Sequence, residues 1–178
     1  MSFNKNRQGW VGVDRLAPFR RVAAALWLAL LAGCAPVNDP SAGMSVADAV
    51  ALIEKAPRSE LQPATVAEAF ALNTKSTEVQ REMLEKDLIG HVVEWELQVY
   101  EVALDNGRYK VTSQAIPVKD ADAVPLLRVQ ANVLPQNEAD AALLQAVKTD
   151  EVIRIRGIVQ EIRARTVVAI VPGIVVSK

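Results

Sequence analysis

From residue 92 onward the chain alternates apolar and polar residues, and this pattern constrains the fold more than any other feature. Within residues 92–102 the odd positions from 93 to 99 are apolar and the even positions from 94 to 98 are polar, which is typical of a strand with one buried face. Asn106-Gly107 follows and favours a two-residue hairpin turn. We therefore predict a return strand over residues 108–116. The inward residues of this hairpin are predicted to be Val93, Trp95, Leu97, Val99, Tyr109 and Val111.

Three more strands and one helix are predicted after this hairpin. Residues 126–134 alternate again and predict a third strand. Asn137 is placed to cap a helix over residues 138–147. Residues 150–162 predict a fourth strand whose inward parity shifts near Gly157, which indicates a bulge. Residues 166–171 predict the last strand, ending before Pro172-Gly173. The inward residues of strand three are predicted to be Leu127, Val129, Ala131 and Val133.

The order of these elements is strand, strand, strand, helix, strand, strand. A single helix between strands three and four is the arrangement of the OB-fold, a five-stranded Greek-key barrel. We predict a mainly β fold with α content, in which residues 88–178 form this barrel. The helix is predicted to plug the open end of the barrel through Leu143, Leu144 and Val147.

Residues 45–87 show three helical patterns, each opened by a pair of residues typical of a helix N-terminus. The pairs are Ser45 with Asp48, Thr65 with Glu68, and Thr77 with Gln80. They predict helices over residues 46–54, 66–72 and 78–88 that precede the barrel. The faces predicted to be buried are Val46, Ala49, Val50 and Ile53 in the first helix, and Val79, Met83 and Leu84 in the third.

The N-terminal region has the features of a secretory signal. An apolar run over residues 22–31 follows two arginines, and small residues come after it. These ten residues would span only about 15 Å as a helix, roughly half of a bilayer core. A transmembrane helix is therefore disfavoured. The run ends in the sequence Leu31-Ala32-Gly33-Cys34.

These four residues resemble the lipobox of bacterial lipoproteins. The resemblance implies that Cys34 is lipidated on sulfur, that the chain is cut before it, and that the new amine is acylated. Residues 1–33 would then be a signal peptide and residues 34–44 a tether. In similar lipoproteins a residue such as Ala35 after the cysteine permits sorting to the outer membrane. Export by the Sec or the twin-arginine route stays open, and we favour Sec.

A second resemblance covers about residue 64 to the C-terminus. It rests on residues 77–82 (TEVQRE), 88–95 (LIGHVVEW), 99–102 (VYEV) and 150–157 (DEVIRIRG). These segments resemble bacterial secreted OB-fold proteins of the "tRNA-anti-like" group. The resemblance implies the barrel fold, with Gly90 and Gly157 as fold-defining positions. It implies no agreed biochemical function.

The composition argues against an enzyme, a cofactor and a bound metal. His91 is the only histidine and Cys34 the only cysteine, so no Cys/His or Ser/His/Asp set can be built away from His91. We interpret His91 as a surface residue at a strand start. Asp120 and Asp122 lie in one loop and are capable of binding a hard cation weakly, but we favour a solvated turn.

Arg154 and Arg156 alternate along strand four, and two interpretations are open. They are capable of gripping a phosphate. Strands one and four are neighbours in an OB barrel, however, and the outward face of strand one carries Glu94 and Glu96. We favour an exposed cross-strand ladder of ion pairs.

The usual ligand surface of an OB barrel is the outside of strands two and three. That outward surface is polar and presents no aromatic ring, which argues against single-stranded nucleic acid, as does a net charge of −1. It suits a glycan, an anionic lipid headgroup or a protein partner, with a merely solvated face as the alternative. The candidate residues are Arg108, Lys110, Thr112 and Gln114 from strand two, and Arg128, Gln130 and Asn132 from strand three.

The function predicted from these features is non-enzymatic binding or scaffolding in the cell envelope. The partners would be the membrane, through the N-terminal lipid, and an envelope protein, glycan or anionic lipid. The alternative is an envelope stress or assembly factor that acts on glycan or lipid. A nucleic-acid-binding OB domain is the more distant alternative.

Overall fold

The structure is a computed structural model and describes residues 43–105, 107–120 and 122–176. The signal peptide, the lipobox with Cys34 and most of the tether lie outside these residues. The described part contains four helices and five strands. In chain order they are α1 Val46–Lys55, α2 Pro63–Phe70, α3 Glu78–Leu88, β1 Val92–Asp105, β2 Arg108–Ser113, β3 Arg128–Val133, α4 Glu138–Ala146, β4 Val152–Arg163 and β5 Val167–Val175.

The five strands close into a barrel in the order β1-β2-β3-β5-β4. All neighbours are antiparallel except β3 and β5, which run parallel. Strand β1 pairs with β4 over Val92–Gln98 and with β2 from Val99 onward. With α4 between β3 and β4, this is the topology of an OB-fold, and the predicted fold class is confirmed.

The interior of the barrel is filled by the alternating residues that the sequence predicts. Every inward residue predicted for β1, β2 and β3 is buried. Trp95 is 1% exposed, and its Nε1 donates a hydrogen bond to the Leu61 carbonyl at 2.8 Å. Val66 and Phe70 of α2 belong to the same apolar cluster. The N-terminal helical segment therefore completes the barrel core and closes over its tryptophan.

Gly157 lies where β4 and β5 approach most closely. A Cβ at this position would lie 2.4 Å from Ile170 Cγ2 and 2.5 Å from the Pro172 carbonyl oxygen. The pairing of β4 with β5 shifts register twice beyond it: β5 carries an extra residue opposite Gly157–Val159, and β4 carries one between Val159 and Glu161. The bulge predicted for this strand therefore lies beyond Gly157. The predicted change of parity is wrong, because Gly157 and Val159 both continue the buried face. Ile158 instead packs with Ile53 of α1 in a small second cluster.

Two of the three N-terminal helices start where predicted. The Ser45 side chain accepts a hydrogen bond from the Asp48 amide, and Thr77 with Gln80 forms a reciprocal capping box. The predicted start of α2 after Thr65 is wrong. That helix begins at Pro63, and no side chain caps it. The fixed φ and missing N–H of proline suit the first helical position, so the helix starts there.

Some predicted apolar contacts of the helices are also wrong. Val79 and Met83 are 64% and 60% exposed. The face of α3 turned to the core instead carries Leu84 and Leu88. On α4, Leu144 is buried and Val147 packs partly against the core, but Leu143 is exposed. Leu84, Leu144 and Val147 thus contact the core as predicted, whereas Val79, Met83 and Leu143 do not.

Several strand ends differ from prediction. Strand β2 stops at Ser113, whose buried Oγ accepts a hydrogen bond from the Val129 amide at 2.9 Å. The Ser113 hydroxyl thus accepts the hydrogen bond that a main-chain carbonyl of β2 would otherwise accept, at the point where β2 diverges from β3. Strand β3 starts two positions later than predicted, at Arg128. Strand β5 does not stop at Pro172-Gly173 but continues to Val175, because Gly173 still pairs with Gly157.

We expect the Trp95→Ala variant to unfold or nearly unfold the domain. The substitution empties the centre of the core and leaves the Leu61 carbonyl without its partner. Such truncations cost about 3–5 kcal/mol, against a total stability of roughly 5–15 kcal/mol. Thermal and urea unfolding followed by circular dichroism will measure the loss. The matched Trp95→Phe variant keeps an aromatic ring and should lose less; equal losses would contradict this account of the core.

Candidate ligand-binding face

A β-bulge in β1 shapes the outer surface of the barrel. Val99 pairs with Ser113 and Glu101 pairs with Thr112, so Tyr100 is an extra residue in β1. As a result Tyr100 and Glu101 are both exposed, and beyond them only Val102, at an even position, is partly buried. The Tyr100 side chain is 47% exposed, and its carbonyl accepts a hydrogen bond from Thr149 Oγ1 at 3.1 Å.

Because of the bulge, the side chain of Tyr100 in β1 contacts Arg128, the first residue of β3. The Arg128 guanidinium carbon lies 4.9 Å from the centre of the Tyr100 ring, which is the geometry of a cation–π contact. The outside of β2 and β3 itself carries no aromatic ring, as expected, but Tyr100 of β1 adds one beside it. The sequence did contain a signal, since the apolar residues change from odd positions up to Val99 to Val102 and Leu104 beyond it.

The carboxylate of Asp150, which follows the Tyr100 contact residue Thr149 in the chain, is held by hydrogen bonds. Asp150 has a left-handed backbone, with φ of 71°. Its Oδ1 accepts hydrogen bonds from Gln114 Nε2 at 2.9 Å and from Gln98 Nε2 at 3.4 Å. Hydrogen bonds thus join side chains from three parts of the barrel: Gln98 of β1, Gln114 after β2 and Asp150 before β4. Gln114 was a candidate from the sequence, whereas Gln98 and Asp150 were not.

The other candidates alternate with buried residues along β2 and β3. Lys110 pairs with Asn132 and Thr112 pairs with Gln130 in the two strands, so these side chains share the outer surface. The Gln130 Oε1 accepts a hydrogen bond from Arg163 of β4 at 3.3 Å. We call this surface the outer face. Its members are Tyr100, Arg108, Lys110, Thr112, Gln114, Arg128, Gln130, Asn132 and Asp150.

The predicted ladder on β1 and β4 is confirmed. Glu94 pairs with Arg156 and Glu96 with Arg154 in the register. Arg156 donates to Glu94 Oε2 from Nε at 2.8 Å and from Nη2 at 2.7 Å. Arg154 Nη2 lies 2.5 Å from Glu96 Oε1. The hydrogen bond to Glu96 raises the pKa of Arg154 further above its usual range, so both arginines are engaged within the protein.

The remaining sequence candidates show no catalytic arrangement among the described residues. His91 Nδ1 lies 3.2 Å from the Ile89 carbonyl oxygen. Asp120 accepts a hydrogen bond from the Asp122 amide and lies 3.5 Å from Lys75 Nζ; these two neighbours, the amide first, lower the pKa of Asp120. Among residues 43–176, excluding positions 106 and 121, no three His, Cys, Asp or Glu side chains lie close enough together to hold a metal ion.

Membrane-spanning helices were also sought in the part of the chain that the structure describes. None of its helices is both long and apolar enough to cross a bilayer.

Fold and surface together define an OB-fold protein with a polar, partly cationic outer face. No model of a known protein family matches the chain, and no curated protein matches it. Several solved structures are similar to it, and two of them follow. One is a protein of Klebsiella pneumoniae subsp. pneumoniae MGH 78578 named "putative nucleic acid-binding lipoprotein", at 16% identity and a TM-score of 0.42, covering 80% of this chain and 99% of that one.

Another similar structure is the Stn1–Ten1 complex of S. pombe. It matches at 10% identity and a TM-score of 0.27, covering 49% of this chain and 59% of that one. At these values neither likeness transfers a function. The fold assignment rests on the strand order and register of this chain itself.

The ladder predicts a specific pattern of charge coupling. Changing Glu94 and Glu96 to arginine places four like charges on adjacent strands and should lower the melting temperature. Changing Arg154 and Arg156 to glutamate should do the same. Combining both changes restores opposite charges and should recover most of the loss. The double-mutant cycle, measured by thermal unfolding in low and high salt, gives the coupling term.

Exposed ion pairs are weak and screened by salt, so this coupling should be small and should shrink as salt is added. A coupling of zero in low salt would contradict the pairing of β1 with β4.

Proposed function

We propose that the chain is a lipid-anchored protein of the bacterial cell envelope whose OB barrel binds a ligand or partner without catalysing a reaction. The barrel faces the periplasm, and the anchor lies in the inner leaflet of the outer membrane. The ligand-binding surface is the outer face. The observation that carries the binding role is the exposed Tyr100–Arg128 pair beside the Asp150 carboxylate.

Support for the anchor comes from the sequence before the barrel. Leu31-Ala32-Gly33-Cys34 follows a positive flank and a short apolar run, which is the order of a secretory signal. Lipid attached to Cys34 would hold the membrane end of the chain. The proline, asparagine and serine residues between Cys34 and α1 are typical of a linker that holds a domain off a surface.

We expect the membrane-extracted protein to begin at Cys34 and to carry lipid on that residue. Mass spectrometry of the N-terminal peptide will show this directly. The Cys34→Ser variant removes the thiol that takes the lipid, so it should lose processing and membrane attachment. The neighbouring Ser41→Ala variant is the control and should be processed normally. An intact Met1 terminus, or unchanged fractionation of Cys34→Ser, would contradict lipidation.

The leaflet is a separate part of the proposal. Because the residue after Cys34 is alanine rather than aspartate, density-gradient fractions should place the protein with outer-membrane markers. Co-sedimentation with inner-membrane markers would remove this part of the proposal and leave lipidation untouched.

The chemistry of the outer face supports a ligand with an anionic or hydroxyl-rich group. Arg108, Lys110 and Arg128 contribute positive charge, and Gln130 and Asn132 contribute amides. Guanidinium and amide groups bind carboxylates, phosphates and sugar hydroxyls. An exposed tyrosine ring adds an apolar surface for the flat face of a ring. A glycan or an anionic lipid headgroup is therefore the first ligand class.

Single-stranded nucleic acid is the second candidate. The Tyr100–Arg128 pair specifically favours it, because bases stack on aromatic rings and on guanidinium planes. The net charge of −1 weighs against it, since such proteins usually rely on a positive field.

One binding experiment tests the outer face and separates these ligands. The probes are soluble peptidoglycan fragments, vesicles of phosphatidylglycerol with phosphatidylethanolamine, and a twelve-base oligothymidine. We expect Tyr100→Ala and Arg128→Gln each to weaken binding of the preferred probe about tenfold, which corresponds to about 1.4 kcal/mol. Lys86→Gln, on the exposed side of α3, is the matched control and should bind normally.

Both test positions are at least partly exposed, so thermal unfolding should stay close to that of the parent protein. Binding that is unchanged in both variants would contradict the outer face as the ligand surface. Binding of none of the three probes would leave scaffolding of a protein partner as the surviving form of the proposal.

A further inference from the structure

The second half of β1 has a bare edge. Its β4 side is paired from Val92 to Gln98, and Val99 still exchanges main-chain hydrogen bonds with Glu151 and Asp150. Beyond that point β4 has not begun, whereas β1 continues to Asp105 with β2 on its other side. No described strand covers the side of β1 that β4 leaves open.

The hairpin geometry shows which main-chain groups point to that open side. Asp105 and Arg108 are paired across a two-residue loop, so these two residues exchange the hydrogen bonds that close the turn. Alternation then directs the N–H and C=O groups of Ala103 and Glu101 toward β2. The corresponding groups of Val102 and Leu104 point away from β2. They form an unpaired edge that we call the 102–104 edge.

A groove that is lined by both apolar and polar side chains lies beside this edge; the polar ones include Glu101, Gln145, Lys148 and Thr149. It has a volume of about 640 Å³ and separates the β1–β2 hairpin from α4. Val102, Leu104 and Tyr109 line one wall, and Leu144 with Val147 lines the other. Leu104 is 67% exposed, so its apolar side chain is uncovered at the same residue whose main-chain groups are unpaired.

The opposite side of the same strand is acidic. Glu101 points outward and forms no ion pair among the described residues. Ala103 is small, and Asp105 follows on the same side. An added strand would place its outward residues next to the Glu101 carboxylate and its inward residues against the apolar side chains of the groove. Cross-strand pairs of opposite charge stabilise such an arrangement, and like charges oppose it.

We propose that the 102–104 edge binds an extended peptide segment of a partner protein, with apolar residues alternating with lysine or arginine. The peptide adds a strand to β1 in line with β4, and its inward residues fill the groove. A second copy of this chain fits less well. Two-fold pairing centred on Ala103 would set Glu101 of each copy opposite Asp105 of the other. The inference is independent of the lipid anchor and of the outer face.

The test uses the full chain in detergent and a blocked synthetic peptide, Gly-Lys-Val-Lys-Val-Lys-Val-Lys-Gly. Amide hydrogen exchange, read residue by residue by NMR, should be fast at Val102 and Leu104 in the free protein. Both amides should slow at least tenfold with peptide bound, while Ala103 stays slow throughout. The same peptide with alternate N-methylated residues cannot complete the ladder, and it should not bind.

Two variants of Leu104 separate the main-chain groups from the side chain. Leu104→Pro removes an N–H that faces the open edge and leaves the bonds to β2 in place, a change that edge strands tolerate. It should weaken peptide binding about tenfold. Leu104→Ala keeps that N–H and loses only apolar contact, so it should weaken binding less.

Charge reversal provides a test that does not depend on how well the proline variant folds. Glu101→Lys should reduce binding of the lysine peptide and improve binding of the same peptide with glutamate in place of lysine. Glu82→Lys, exposed on α3, is the matched control and should leave the preference unchanged.

Three results would overturn the proposal. One is the absence of binding up to about 1 mM peptide, a very weak affinity for any specific site. Another is binding that survives N-methylation or that shifts the signals of Thr112 and Gln130 on the outer face instead. The third is protection of Val102 and Leu104 that rises with protein concentration alone, because that result would show pairing between two copies.

Discussion

The close approach of β4 and β5 at Gly157 is the constraint on which the barrel depends. No side chain fits there, since a Cβ would fall 2.4 Å from Ile170 and 2.5 Å from the Pro172 carbonyl. A bulge in β5 opposite Gly157–Val159 and one in β4 after Val159 follow, and such bulges coil a small sheet tightly enough to close. Closure also buries Trp95, whose N–H then needs the Leu61 carbonyl. The helical segment before the barrel is thereby tied into the core.

A second consequence of closure is that the two halves of β1 pair with different strands on different sides. Its first half pairs with β4 and carries the ladder of Glu94 and Glu96 with the arginines. Its second half leaves β4 and extends as a hairpin with β2. The bulge at Tyr100 marks the change of neighbour. It turns Tyr100 outward toward Arg128 and sets the phase that leaves Val102 and Leu104 unpaired, so both candidate binding surfaces arise from one irregularity.

The strands were predictable because period-two alternation is a local property of the sequence. The inward residues of β1, β2 and β3 follow from it directly, and so does the pairing of Glu94 and Glu96 with Arg156 and Arg154 once the strand order is known. The helices were less predictable. Val79, Met83 and Leu143 are apolar, yet their exposure depends on how a short helix rolls on the barrel. Thr65 fits a capping pattern, but Pro63 begins the helix earlier.

The sequence by itself determined the order of the strands along the chain, the hairpin turn and most of the residues that fill the barrel, because alternation and an Asn-Gly turn act over a few residues. It also supplied the motif at Cys34. Only the tertiary structure decided which surfaces are available for binding. Tyr100 contacts Arg128, which lies on a different strand. Asp150 accepts hydrogen bonds from Gln98 and Gln114. The 102–104 edge is unpaired because β4 begins too late in the chain to cover it. These features depend on distances between segments far apart in the chain, which local patterns do not encode.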